Sequence, residues 1–84
     1  MNFTFTPHAI EQMQDREIPF QVIVEILNHP EEIVPAKYNR SAYQSVVQIN
    51  GKPYIVRAFV ESDGTVVSIY RSSKISKYQG KNDE

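Results

Sequence analysis

The sequence predicts an α+β domain with two N-terminal helices packed on one face of a three- or four-stranded antiparallel sheet. Three observations carry this. The apolar residues recur at helical spacing through about residue 28, and alternate with period two from Arg40 onward. Two tight-turn dipeptides, Asn50-Gly51 and Asp63-Gly64, divide the second half into three strand-forming runs. At 84 residues the chain has room for one modest two-layer core and not for two. A single domain over residues 1–79 with a frayed tail over residues 80–84 is expected.

Taken in order, Phe3 and Phe5 alternate with polar neighbours, predicting a short strand or an apolar strap. Thr6-Pro7 reads as a helix start: Thr6 is the N-cap, and Pro7 holds the first position, where its missing N–H costs nothing. That helix should run from Pro7 to about Glu17 on a thin stripe of Ala9, Ile10 and Met13, with His8, Gln12 and Asp15 on another side. A second helix opens at Pro19 and stops at Asn28-His29-Pro30, and Phe20, Val22, Ile23, Ile26 and Leu27 are expected to make its broad apolar face. Glu31 to Ala36 reads as a connector with a short extended piece at Ile33 and Val34. The first long strand, Arg40 to Ile49, turns at Asn50-Gly51 into Pro53 to Glu61. Tyr54, Val56, Ala58 and Val60 form the core side of that second strand, leaving Ile55, Arg57, Phe59 and Glu61 on the other. Asp63-Gly64 leads into the last strand, which begins at Thr65.

Composition narrows the chemistry. The absence of Cys excludes disulfides and thiolate zinc sites, and His8 and His29 stand alone without ligand spacing, so neither a metal nor a cofactor is expected. No apolar run reaches the ~20 residues of a membrane span and the polar start is unlike a signal peptide, so a cytoplasmic protein is expected. The net charge of -1 hides a division. Residues 1–32 hold six acids against Arg16, whereas residues 33–82 hold eight bases against Glu61 and Asp63. Such asymmetry suits an anion-binding sheet beside an acidic helical half.

The last strand-forming run, Thr65 to Lys74 (TVVSIYRSSK), passes directly into a basic cluster, Arg71, Ser73 and Lys74. Simple alternation places Val67, Ile69 and Arg71 on one side and Val66, Ser68 and Tyr70 on the other. With Gln44, Gln48, Arg57, Ser68 and Tyr70 facing away from the helices, the sheet would offer guanidinium, hydroxyl and aromatic groups to a phosphodiester. Metal-independent RNA cleavage needs a base for the 2′-hydroxyl, an acid for the leaving 5′-oxygen and cations for the phosphate. His8, Tyr70, Arg57, Arg71 and Lys74 are residues of those types. Plainer roles stand beside each: a solvated His8 in a helix's first turn, an Arg16 stem packed on the sheet, a Tyr78 plugging the core edge.

Four blocks then bear a resemblance: Thr6 to Pro19 (TPHAxxxMxxRxIP), Arg40 to Ser45 (RxAYQS), Gly51 to Val60 (GKxYxxRAxV) and Val66 to Tyr78 (VVxxYRxSKxxKY). Over nearly its full length the chain resembles the small prokaryotic family called domain of unknown function 4258. That group is similar to the barnase, EndoU, colicin and RelE-like ribonuclease toxins, and its genes often adjoin an antitoxin-like partner. The resemblance implies a metal-independent endoribonuclease toxin of a type II toxin–antitoxin pair, acting on RNA, ribosome-bound mRNA included, and neutralised by a small antitoxin protein. By that analogy His8, Arg57, Tyr70 and Arg71 would be catalytic, and Arg16, Arg40, Ser73 and Lys74 would hold substrate. Many relatives carry Arg where this chain has Gln12 and Gly where it has Glu17. The alternative is a non-catalytic RNA- or protein-binding module anchored by Arg57, Arg71 and Lys74.

Overall fold

The computed structural model describes residues 2–80. The chain opens with a strand of two residues, β1 (Thr4–Phe5), followed by helices α1 (Pro7–Asp15) and α2 (Phe20–Asn28). Strand β2 (Glu32–Ala36) and a 3₁₀ turn (Lys37–Asn39) lead into β3 (Arg40–Ile49), β4 (Lys52–Val60) and β5 (Thr65–Ser72), and the short helix α3 (Ile75–Tyr78) closes the described chain. The sheet has five strands in the order β1-β5-β4-β3-β2. All neighbours are antiparallel except β1, which runs parallel to β5, so the sheet is mixed and larger than the three or four antiparallel strands expected.

The two additional strands lie at the edges. β1 pairs Thr4 with Thr65 and Phe5 with Val66, and the sequence expectation of a strand or strap at Phe3 and Phe5 resolves to this two-residue ladder. The expected connector at Glu31 to Ala36 is a full edge strand, with Pro35 tolerated there because an edge residue can forgo a donor.

Local chemistry explains the helices. Thr6 caps α1 by accepting the Ala9 N–H on its hydroxyl at 3.0 Å, and Pro7 occupies the first turn. α1 ends at Asp15, two residues before the expected Glu17, because Glu17 turns left-handed at φ 52° and the Ile18 N–H closes back on the Met13 carbonyl at 2.9 Å. A glycine is the residue that geometry favours.

α1 and α2 cover one face of the sheet. Ala9, Met13, Ile23, Ile26 and Leu27 meet Val56, Ala58, Val60, Val66 and Ile69 in the main core. Each fully buried Val or Ile contributes about 1.5–3 kcal/mol relative to exposure. Val66 corrects the simple alternation: an irregularity at Phe59/Val60 pairs Val60 with Val66 but Phe59 with Ser68, and returns Val66 to the same side as Ile69. Asn50 and Gly51, at φ 52° and 79°, make the left-handed hairpin turn that holds β3 and β4 in register.

Gln12 seals the outer edge of β5 beyond the end of β1. Its side-chain carbonyl accepts the Ile69 N–H at 2.8 Å and the Ser68 hydroxyl at 3.0 Å, standing in for the strand that is missing there.

Candidate nucleic-acid interface

The face turned away from α1 and α2 is built on a transverse line of three paired residues, Gln44 on β3, Arg57 on β4 and Tyr70 on β5. Arg57 is fully buried, 0% exposed, in mid-sheet. A guanidinium in that position demands partners, since burying an unpaired charge costs several kcal/mol. Its Nε donates to the Gln44 side-chain carbonyl at 2.7 Å and its Nη1 donates to the Tyr70 hydroxyl at 2.5 Å. Gln44 passes the network on, donating its amide to Glu32 at 3.0 Å and to the Tyr78 carbonyl at 3.1 Å. Glu32 also accepts the Gly80 N–H at 3.0 Å, so the C-terminal turn is tied to the same carboxylate. Gly80, expected in the frayed tail, is therefore anchored; residues 81–84 of that tail lie outside the described residues.

Aromatic rings enclose the guanidinium. Its carbon lies 4.6 Å from the Tyr78 ring centre, 5.1 Å from Phe59 and 5.6 Å from Tyr70. Phe59 stacks on Tyr70 at 5.8 Å and 22°, and Tyr78 meets Tyr70 edge-on at 5.9 Å. Burial raises the Tyr70 hydroxyl above its ordinary value of 10.0, with the Arg57 guanidinium pulling partly the other way. Tyr70 is thus a neutral proton donor at physiological pH, unsuited to serve as a base.

Beyond Phe59, the 3₁₀ turn forms the second part of this face. Tyr38 and Asn39 both adopt left-handed conformations, φ 61° and 60°, and the Tyr38 side chain stands 80% exposed. The Arg40 guanidinium carbon lies 5.3 Å from the Tyr38 ring, and its Nε is 3.5 Å from a Glu61 carboxylate oxygen. Lys37, Tyr38, Arg40, Phe59 and Ser68 line a cleft of about 230 Å³.

The residues singled out from the sequence separate into three places. Arg57 and Tyr70 are joined directly on the far face, with Arg40 on the same face at the start of β3. Arg71 is placed apart: it pairs with Val56 on the helix-bearing side, 4.4 Å above the Tyr54 ring. It therefore does not share the face of Tyr70. Ser73 and Lys74 are exposed just past β5, where Ser72 accepts the Lys74 N–H and turns the chain. His8 and Arg16 are exposed at the two ends of α1, the helix that packs its Ala9 and Met13 into the opposite face.

Sequence reasoning missed Gln44 as Arg57's partner, and missed Tyr78 and Tyr38 as parts of this face. One signal was available. Gln44 and Arg57 each stand six positions from the Asn50-Gly51 turn, so a two-residue hairpin sets them directly opposite.

The groups on this face are cationic and aromatic: exposed Lys37 and Lys77, half-exposed Arg40, the exposed ring of Tyr38 and the partly buried rings of Phe59, Tyr70 and Tyr78. The chain belongs to the family described as domain of unknown function (DUF4258), whose model matches residues 5–71. No curated protein and no solved structure matches it. Among the described residues no group of three or more His, Asp and Glu is arranged to hold a metal, and no helix is long and apolar enough to cross a membrane.

Proposed function

We propose that this protein binds single-stranded RNA on the sheet face opposite α1 and α2. The observation that carries the reading is the run of rings Tyr38, Phe59, Tyr70 and Tyr78 interspersed with Lys37, Arg40 and Lys77 on one side of the molecule. Bases stack on such rings at about 1–3 kcal/mol each, and the cations follow the backbone. Arg57 acts here as scaffold: its charge, held beneath Tyr78, Phe59 and Tyr70, fixes the rings and adds positive potential to the face.

A second reading adds cleavage, and the Arg57–Tyr70 hydrogen bond favours it. In this reading the fold is of the RelE and barnase kind and the protein is the cytoplasmic toxin of a toxin–antitoxin pair. A 2′-hydroxyl attacks the adjacent phosphorus, a 2′,3′-cyclic phosphate forms and the P–O5′ bond breaks. Tyr70 gives its proton to the leaving 5′-oxygen, and the Arg57 guanidinium stabilises the resulting phenolate. The proton of the 2′-hydroxyl passes to solvent, since His8 stands on the helix-bearing side. A small acidic antitoxin would neutralise the toxin by covering the same cations and rings.

Induced expression in a bacterial host, with growth and RNA integrity followed for wild type and Tyr70→Phe beside RNA binding in vitro, separates the two. Binding without cleavage supports the first reading, and cleavage lost in Tyr70→Phe supports the second. Absence of RNA binding by the purified wild type defeats both.

A further inference from the structure

We propose that the corner between β2 and β3 is a pocket for one unstacked nucleotide of a single-stranded RNA. Tyr38 and Phe59 take the base in the cleft they share, and Lys37 and Arg40 take its phosphates. The inference rests on the RNA reading above and adds a specific subsite to it.

Three independent features converge there. The first is backbone conformation. Ala36 pairs with Arg40, so Lys37 to Asn39 is a three-residue hairpin loop, and two adjacent residues in it are left-handed. Asn39 tolerates that conformation through its short polar side chain, but Tyr38 does not, and such outliers cost about 1–3 kcal/mol each and gather at ligand sites. The second is exposure. The fold presents the Tyr38 ring to water at 80% although the far face has its own apolar cluster of Val34, Ala36, Ala42 and Phe59 in which a ring could be buried. An exposed ring held by a strained turn gains nothing for stability and suits a stacking partner.

The third is the arrangement of the polar groups. Arg40 lies 5.3 Å from the Tyr38 ring centre, occupying one face of it and leaving the other for a base. Its ion pair with Glu61 orients the guanidinium at the rim of the cleft. Ser68, on the cleft wall, donates its hydroxyl proton to Gln12, so its oxygen is oriented as an acceptor for the amino edge of a base. A base within a duplex is stacked on both sides and cannot enter, so the pocket selects single strands.

The test is fluorescence anisotropy with a 5′-labelled single-stranded RNA decamer and its duplex form. It compares wild type, Tyr38→Phe, Tyr38→Ala and, as a control on an exposed residue at the β3–β4 hairpin, Lys52→Ala, each checked for folding by circular dichroism. Tyr38→Ala should weaken single-strand binding about tenfold, the worth of one stacked base. Lys52→Ala should stay within about twofold, Tyr38→Phe, which keeps the ring, should bind more tightly than Tyr38→Ala, and the duplex should bind more weakly than the single strand. A 2-aminopurine placed in the strand should be quenched by wild type and not by Tyr38→Ala. If wild type binds RNA and folded Tyr38→Ala binds it equally well, or the duplex competes equally, the pocket is refuted while the RNA reading stands. If wild type binds no RNA at all, the RNA reading fails and the pocket with it, and Tyr38 with Arg40 becomes a protein-docking anchor.

Discussion

The two faces of this one sheet are built from the same strands and on opposite principles. On β4, Val56, Ala58 and Val60 point into the helix-covered core, whereas Ile55, Arg57 and Phe59 point to the other side. The first face is held by apolar area, with interchangeable contributors and no directional demands. The second is held by a chain of specific bonds from Glu32 through Gln44 and Arg57 to Tyr70, each dependent on its neighbour's geometry. A protein that needed stability alone would have no use for the second arrangement, since an apolar core of equal volume is commonly as stable as a buried charge network. The contrast is what supports the proposal that the far face is the binding face.

The largest effect expected from separating the two faces is in the helix-covered core. Ile69→Ala, at a fully buried position, should lower stability by about 2–5 kcal/mol in urea denaturation and reduce RNA binding only through the unfolded fraction. Arg57→Ala should cost about 2–4 kcal/mol, by leaving a cavity and orphaning the Gln44 carbonyl. The double replacement Arg57→Met with Gln44→Leu should recover most of that loss, to within about 1 kcal/mol of wild type, yet abolish RNA binding. Recovery of both stability and binding in that double variant would show the network to be structural only.

A smaller effect sharpens the comparison at the helix end. Glu17→Gly relieves a left-handed residue at φ 52° and should stabilise the fold by up to about 1 kcal/mol, with RNA binding unchanged. The smallest is a pH effect. Tyr70 has its pKa raised in the folded state, so the stability it contributes is complete below pH 10.0 and is lost as pH rises through the higher folded value. Tyr70→Phe should therefore flatten the alkaline end of the stability profile and, by removing the acceptor of the Arg57 Nη1, lower the profile modestly at neutral pH. A wild-type profile as flat as the variant's would mean that the hydroxyl is not held as described.

Much of the helix-covered face was legible in the sequence, because burial of apolar residues writes itself into period. The sides of β3 and β4 follow directly from alternation, and Thr6-Pro7 and Asn50-Gly51 mark their elements by steric necessity. The edges were not legible. β1 is two residues long and gains its identity only from parallel pairing with β5, and α3 is a single turn whose position depends on Gln44 and Glu32. The irregularity that returns Val66 to the core leaves no local signature, since Val66 and Val67 are the same residue type.

The candidate site was half legible. Arg57 and Tyr70 stand out as polar residues in mid-strand, and the fold joins them. That Arg71 lies on the opposite side from Tyr70 follows from alternation, its contact with the Tyr54 ring from the register of β4 and β5, and only the position of His8 on the helix-bearing side depends on how the helices cross the sheet. Gln12 illustrates the same point: a polar residue on the helix serves as a hydrogen-bonding cap for the β5 edge.

The most direct test of the central claim is a titration of single-stranded RNA into isotopically labelled protein, followed residue by residue by amide chemical shift. The account predicts saturable shifts confined to the far face, at Tyr38, Arg40, Phe59, Tyr70 and Tyr78, with the core-facing residues of α1 and α2 unmoved. Shifts centred on His8, Arg16 and the exposed side of the helices, or no shifts at any RNA concentration, would contradict it.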